Sequence, residues 1–340
     1  LFRSVTGWLS RQKALEVMAS GDLYLHSAEW EGFPIAILEA AGLGLPVVAR
    51  NRPYLSGVSL PEVIGEPADF IFNIHAAPTA RQSIKVESLS ISQPVATSIH
   101  FDPLLHHRLL RLRAQSGQLA INYRAEVDIN HRVDAPECIG EVPIAILPVN
   151  VLPYLYPSRY CESDKLQQVA NQQFGHLAKG YGRVEAIRRW VQQRTRFASG
   201  STNFTTSAVD TYHQQAGVCR DFAHLMIALC RALNIPARFS SGIDYGADPV
   251  LGPTDFHAYV EVFLSGRWYL FDPSGTAMPM GFVRIGTGRD ASDISFATIF
   301  GQIESAVPLL SIVAVDDPAR GFFLPYHSDR ALSTDAPDWL

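Results

Sequence analysis

The stretch 216-AGVCRDFAHLMIALC-230 places a cysteine directly before an apolar helical repeat. After Cys219, apolar residues recur at the spacing of one buried helical stripe, at Phe222, Leu225, Met226, Leu229 and Leu233. Asn234 suits the left-handed position that follows a last helical turn, and Pro236 cannot continue a helix. The stretch therefore predicts a helix that begins at Cys219 and is buried along one side.

The predicted position of Cys219 favours a reactive thiol. Unpaired amides and the helix dipole at a helix N-terminus stabilise anions, and a thiolate is such an anion. Asp221 would oppose the thiolate only if it faced the sulfur, and we expect it to bind first-turn amides instead. Most cysteines are small buried hydrophobes, so that alternative stays open for Cys219 on the helix pattern alone. Cys230 is predicted to be of this inert kind, since it lies inside the helix.

A thiol nucleophile needs a base and a group that orients the base, and 255-DFHAYVEVFLSGRWYLFDPSG-275 offers both. Ser265-Gly266 fits a two-residue turn between two strands, which pairs Leu264 with Arg267. Strand alternation then puts His257 and Asp272 on one face as diagonal neighbours. A carboxylate there can hold one imidazole nitrogen and leave the other for a thiol.

Each of these residues also has a simpler interpretation. His257 could be an ordinary histidine at a strand edge, and Asp272 begins the turn signal 272-DPSG-275. Asp255 could be the orienting acid instead, although it precedes the strand. The combination of a cysteine at a helix N-terminus with a histidine and an acid on one hairpin face favours thiol-protease geometry.

These motifs resemble the bacterial transglutaminase-like family, which has a papain-like α+β core with a cysteine-bearing helix packed on an antiparallel sheet. The resemblance implies Cys219 as nucleophile, His257 as general base and acid, and Asp272 as orienting acid. It further implies acyl transfer or hydrolysis at amide bonds of a peptide or glutamine side chain, through a Cys219 thioester. The segments that carry the resemblance are 217-GVCRDFAHLMIALCRALNIPARFSSG-242, 256-FHAYVEVFLSGRWYLFDPSG-275 and 282-FVRIGTGRDASDISFATIFG-301.

The oxyanion donor is less clear from the sequence. The Cys219 backbone N–H is one candidate, and the side chain of Gln214 or Gln215 is a weaker second. No metal-ligand spacing is visible, so we expect no metal and no cofactor. A protein or peptide is the substrate class that the resemblance implies. A catalytically silent binding or scaffold protein with the same fold is the competing hypothesis.

The segment before this core is predicted to be β-rich. Alternating apolar residues in 70–76, 83–92 and 117–130 indicate a small antiparallel sandwich, and it resembles the N-terminal domain of bacterial transglutaminases. Two amphipathic helices follow, with Leu166, Val169, Ala170 and Phe174 sharing one face and Val184, Ile187 and Val191 another. We see no catalytic constellation in the sandwich and interpret Cys138 as incidental.

The first residues have a different pattern. Strands at 22–27 and 46–50 flank a helix at 34–44, which is a βαβ unit with parallel strands. The segment 28–50 resembles the donor-sugar lobe of retaining two-Rossmann-lobe glycosyltransferases. That resemblance implies sugar-nucleotide contacts for Glu31, Gly32 and Glu39. The unit is incomplete, so we expect these residues to be inactive, with a glycosyltransferase remnant as the third and weakest functional hypothesis.

Composition sets the outer limits. The 340 residues carry a net charge of −5, which gives no basic footprint for nucleic acid or for a membrane surface. The four cysteines are too sparse for a disulfide framework, so we expect reduced thiols and a cytoplasmic protein. The predicted units are an incomplete glycosyltransferase-like fragment, a β-rich domain, a transglutaminase-like core and a tail, at 1–69, 70–155, 156–325 and 326–340.

Overall fold

The computed structural model describes residues 24–26, 47–49, 59–103, 105, 107–246, 255–304, 308 and 310–335. These residues form a β-sandwich and an α+β core in which helices pack on an antiparallel sheet, as the sequence predicts. Among them no helix is long and apolar enough to cross a membrane.

The N-terminal strands are short. β1 (Tyr24–His26) and β2 (Val47–Ala49) pair in parallel, which agrees with the predicted strand–helix–strand unit. The predicted helix at 34–44 lies outside the described residues. Glu31, Gly32 and Glu39 lie outside them as well, so their assignment stays a prediction.

The β-rich segment forms the predicted antiparallel sandwich. Its first six strands are β3 (Ser59–Val63), β4 (Ala68–Phe72), β5 (Gln82–Ile91), β6 (Thr97–Asp102), β7 (His107–Ala114) and β8 (Gly117–Ile129). Two strands from much later in the chain complete it, β16 (Ala297–Phe300) and β17 (Ile303–Glu304). The result is two four-stranded sheets, ordered β16-β4-β7-β6 and β17-β3-β8-β5, which enclose a core that includes Phe70, Phe72 and Leu110.

Two parts of the sandwich lie where the sequence analysis placed other units. β3 and the start of β4 fall within residues 1–69, and β16 and β17 fall within 156–325. Pro61 interrupts the alternation of β3, and the register with β8 shifts there because proline has no N–H to donate. The pairing of β16 with β4 joins residues more than 200 positions apart, which local alternation does not reveal. The ranges of the four predicted units remain predictions.

Four helices are described between the sandwich and the sheet of the core. They are α1 (Gln167–Phe174), α2 (Tyr181–Arg194), α3 (Ala208–Gln214) and α4 (Cys219–Ala232). The predicted faces of the first two are confirmed, since Ala170 and Phe174 of α1 and Val184, Ile187 and Val191 of α2 are buried in one core. Helix α4 lies at the centre, in contact with the other three helices and with the sheet. Short strands complete the description, at β9 (Arg132–Asp134), β10 (Arg196–Phe197), β11 (Ala216–Gly217) and β18 (Ala331–Ser333).

The sheet of the core has four strands, β12 (Ala237–Asp244), β13 (Phe256–Leu264), β14 (Arg267–Phe271) and β15 (Phe282–Gly288). Their order in the sheet is β14-β13-β12-β15, and all neighbours are antiparallel. The predicted hairpin register is confirmed, with Leu264 opposite Arg267, and Ser265 and Gly266 form the turn with φ of 45° and 78°. Helix α4 covers one face, and the opposite face of β13 is buried too. The face that carries His257 is therefore largely shielded from water.

Candidate active site

The helix that carries the thiol begins and ends as predicted. Helix α4 starts at Cys219, and the Val218 backbone N–H donates to Asp221 Oδ2 at 2.9 Å. At the other end, Asn234 adopts φ of 61° and the Ile235 N–H donates to the Cys230 carbonyl at 3.0 Å, as in a Schellman motif. Asp221 is fully buried, and its carboxylate binds the amide before the helix and the Arg220 guanidinium.

The structure brings Cys219, His257 and Asp272 together in that order. The imidazole of His257 interacts with the Cys219 side chain on one side and the Asp272 carboxylate on the other. His257 Nε2 lies 3.6 Å from Asp272 Oδ1, a charge contact slightly longer than a hydrogen bond, which leaves Nδ1 for the sulfur. Cys219 is half-buried, and its sulfur also lies 3.9 Å from the Phe256 carbonyl oxygen.

The electrostatics of the three groups support one another. Burial lowers the pKa of His257, but its interactions with Cys219 and Asp272 outweigh burial and hold that pKa well above its usual value. Burial raises the pKa of Asp272, yet its contact with His257 and the hydrogen bonds that it accepts from Ser274 and Ala277 bring the pKa below the usual range. An anionic Asp272 beside a cationic imidazole is the favoured state at neutral pH.

Asp272 is held in place by its own turn. Its Oδ1 accepts hydrogen bonds from the Ser274 backbone N–H at 2.9 Å and the Ser274 hydroxyl at 2.6 Å, while Oδ2 accepts from the Ala277 N–H at 3.1 Å. Asp272 can therefore both begin the turn and orient the imidazole. Asp255, the alternative acid, is exposed and accepts from the adjacent Phe256 N–H, so it does not orient the imidazole.

The candidate oxyanion donors differ in where the structure places them. Gln214 ends α3 and Gln215 follows in a left-handed conformation; both are exposed. Within the described residues neither glutamine side chain hydrogen-bonds to Cys219 or His257. The backbone N–H of Cys219 is at the first position of α4, where no intrahelical acceptor exists, so it remains the stronger candidate.

An open groove lies between the β-sandwich and the core, and Cys219, His257 and Asp272 are not among its lining residues. It encloses about 1320 Å³ between β8, the far end of the core sheet and the segments 310–315 and 321–326. Phe256 forms part of its wall, and the Phe256 carbonyl faces the Cys219 sulfur. Phe256 is thus the residue that the groove wall and the surroundings of the Cys219 sulfur have in common. In the described part of the chain no cluster of His, Cys, Asp or Glu side chains is arranged to hold a metal ion.

The sequence analysis assigned no functional role to three residues around the site: Gly242, Asp244 and Tyr259. Gly242 lies directly opposite His257 in the pairing of β12 with β13. A Cβ atom at Gly242 would lie 2.1 Å from the Val283 carbonyl oxygen and 2.5 Å from the Phe282 ring. A glycine inside a strand pattern signals such a close approach, and Gly242 in 237-ARFSSGID-244 offered that signal.

We expect Gly242→Ala to destabilise the protein by about 1–3 kcal/mol, because the methyl group forces β15 away from β12. Urea unfolding measures this. The matched control is Gly182→Ala in α2, where a Cβ meets no atom within 4 Å and alanine suits a helix, so stability should hold or rise by up to about 1 kcal/mol. Equal stabilities of the two variants would contradict the close approach at Gly242.

Comparison with known proteins agrees with this geometry. The model of the transglutaminase-like superfamily matches residues 167–273, and that of the bacterial transglutaminase N-terminal domain matches 58–150. The crystal structure of a "Putative Cysteine Protease" from Cytophaga hutchinsonii is 38% identical with a TM-score of 0.74, covering 81% of this chain and 94% of that chain. The fold is that of a thiol enzyme, and the chain belongs to the transglutaminase-like superfamily.

Other similarities are partial. The model of group 1 glycosyl transferases matches residues 4–68, so it overlaps the sandwich from residue 58 onward. An uncharacterized protein of Mycobacterium leprae is 33% identical over 117 residues, and one of Mycobacterium tuberculosis is 32% identical over 109. The matched regions span 42% and 35% of these two relatives.

Proposed function

We propose that the chain is a cysteine-dependent acyl-transfer enzyme that acts on an amide bond of a peptide or of a glutamine side chain. The observation that carries the proposal is the row of Cys219, His257 and Asp272, with an imidazole whose pKa is held well above its usual value. Such an imidazole is cationic at neutral pH and can stabilise a thiolate beside it. The intact row also favours an enzyme over a silent scaffold.

The chemistry proceeds in two halves. The Cys219 thiolate attacks the amide carbonyl carbon, and the oxyanion that forms is within reach of the Cys219 N–H. The C–N bond then breaks as His257 gives its proton to the leaving amine, which leaves an acyl thioester on Cys219. His257 next takes a proton from water or from a second amine. That nucleophile attacks the thioester, and the thiolate is released. Asp272 keeps the imidazole oriented throughout.

The groove beside Phe256 supports a polypeptide as the substrate. Its walls combine apolar side chains such as Phe296 and Ile312 with charged ones such as Arg124 and Glu126. An extended chain can use both kinds of contact along its length.

Alkylation by iodoacetamide against pH tests the proposal, with mass spectrometry to locate the modified residue. Cys138 is exposed and would react as an ordinary thiol, so it is replaced with serine. We expect Cys219 to react already at pH 6. Burial raises the pKa of Cys161 to about 12 and that of Cys230 further, so both should stay unmodified in the folded protein.

His257→Ala is the decisive variant. Without the imidazolium, no neighbouring positive charge stabilises the Cys219 thiolate, so alkylation at pH 6 should fall by about 100-fold and recover as the pH rises. A pH profile that His257→Ala leaves unchanged would remove His257 from the mechanism. Equal labelling of Cys219 and Cys230 would show that the thiol at the helix terminus has no special reactivity.

A further inference from the structure

A second acid lies on the same face of the sheet as the imidazole. Asp244 ends β12 and is 2% exposed, and its Oδ2 accepts a hydrogen bond from the Tyr259 hydroxyl at 2.5 Å. Tyr259 is fully buried, and its ring lies edge-on to the His257 ring with centroids 4.8 Å apart. Asp244, Tyr259 and His257 are therefore in one continuous contact.

The strand register explains how this contact forms. Tyr259 is opposite Ser240 and His257 is opposite Gly242, so the tyrosine must cross the row of His257 and Gly242 to reach Asp244. A side chain at position 242 would stand in this row. The Phe282 ring, 4.3 Å from the Tyr259 ring between centroids, supports Tyr259 from β15. The tyrosine is thus fixed between His257 and Phe282.

The two oxygens of Asp244 are in different surroundings. Oδ2 accepts from Tyr259 and from the Met278 backbone N–H at 3.0 Å, whereas Oδ1 is buried without any hydrogen-bond partner. A proton can therefore bind at Oδ1 and leave both bonds of Oδ2 intact. A carboxyl group used only to anchor the strand would be expected to have both oxygens bonded.

The charges around Asp244 come from β13 and from the turn after β14. Burial raises the pKa of Asp244 to about 6, which the Tyr259 hydrogen bond, the His257 charge and the Met278 N–H oppose and the Asp272 charge assists. Asp244 is therefore neutral below about pH 6 and anionic above it. When anionic, it adds a second negative charge beside the imidazolium, which favours the protonated ring.

We propose that Asp244 and Tyr259 form a second positioning arm of the site, in which Tyr259 holds the His257 ring and the ionisation of Asp244 sets how firmly that ring keeps its proton. This deepens the proposed function and rests on it for the role of His257. Asp272 contacts the imidazole directly, whereas Asp244 acts through Tyr259 and through charge. The site then responds to pH near 6 as well as to the ionisation of the imidazole itself.

The test follows the His257 ring by proton NMR against pH, in Cys219→Ser protein so that no thiolate interferes. The His257 signal is assigned by its loss in His257→Ala. We expect two inflections, a large one from the imidazole and a small one near pH 6 from Asp244. In Asp244→Asn the small inflection disappears and the proton affinity of His257 falls about threefold to tenfold. The asparagine oxygen can still accept from Tyr259 and Met278, and thermal unfolding verifies that the fold persists.

Tyr259→Phe separates charge from packing. The phenyl ring keeps the contact with His257, but Asp244 loses a hydrogen bond that stabilises its anion, so the small inflection should move to higher pH. Asp69→Asn, an exposed acid of the sandwich, should change neither inflection. Identical titrations of His257 with and without Asp244 would overturn the inference. Because the measurement needs no turnover, that result would leave the proposed function intact, whereas an unreactive Cys219 would refute the proposed function alone.

Discussion

Cys219→Ala is expected to abolish acylation of the folded protein by p-nitrophenyl acetate, a reduction of at least about 1,000-fold in the burst of p-nitrophenolate. In the unsubstituted site the Cys219 thiolate attacks the acetyl carbonyl, p-nitrophenolate leaves, and the acetyl group remains as a thioester. The remaining thiols cannot replace it, because Cys161 and Cys230 are fully buried. Stopped-flow absorbance measures the burst, and intact mass confirms one acetyl group. Cys138→Ser is the background for every variant, since Cys138 is exposed.

Variants of the partners refine this expectation. His257→Ala should reduce the acylation rate by about 100-fold, at the lower end of general acid–base effects because p-nitrophenolate leaves without a proton. The double variant of Cys219 and His257 should be no slower than Cys219→Ala alone, since residues that act as one unit are not additive. A burst that survives Cys219→Ala at full size would assign the nucleophile to another residue. Full activity in His257→Ala would leave Cys219 a reactive thiol without a catalytic base.

Local sequence patterns were sufficient where the structure is built from neighbouring residues. The start of α4 at Cys219 and the left-handed Asn234 after its last turn follow from periodicity and capping, and both are confirmed. The hairpin register follows from Ser265-Gly266, and it alone brings Asp272 to the face of His257. Most of the candidate site could therefore be predicted, because its residues come from one helix terminus and one hairpin.

The parts that could not be predicted depend on contacts between distant strands. Asp244 reads as the polar end of a strand, and only the pairing of β12 with β13 places it beside Tyr259. The same holds for β16, which pairs with β4 across the whole core sequence. The order of the strands in a sheet decides which strands pair, and neither residue types nor residue spacing in the sequence reveal that order.

A buried ionic cluster on the sheet face that carries His257 also depends on contacts between distant strands. Glu261, two positions after Tyr259, is 1% exposed and accepts from Arg238 Nε at 2.6 Å and Arg284 Nη1 at 2.9 Å. Arg284 also donates to Asp335 Oδ1 at 2.7 Å, and Arg238 donates to the same carboxylate. The cluster thus ties three strands of the core sheet to the segment after β18. Asp335 has a pKa well below its usual value: burial alone would raise it, but the charges of Arg284 and Arg238 outweigh burial.

The cluster also reaches the sandwich. Gln82 at the start of β5 donates to the Arg284 backbone carbonyl at 2.7 Å and accepts from the Arg284 N–H at 2.9 Å. A displacement of Arg284 would therefore disturb β5 as well as the core sheet. This makes Glu261 the position where one lost charge should have the widest effect.

Glu261→Gln is expected to destabilise the protein by about 3–5 kcal/mol at pH 7, because the substitution preserves the shape of the side chain but leaves two buried guanidinium groups with one carboxylate between them. Urea unfolding measures the loss. The matched control is Asp69→Asn, which breaks the exposed pair with Arg113 and should cost about 0–1 kcal/mol. Similar losses in the two variants would mean that the buried charges are compensated by water or by rearrangement. If instead Glu261→Gln unfolds at a lower urea concentration and Asp69→Asn does not, the contact of the core sheet with the sandwich and the C-terminal segment depends on the Glu261 carboxylate. The same ionic cluster then stabilises the sheet face that holds His257.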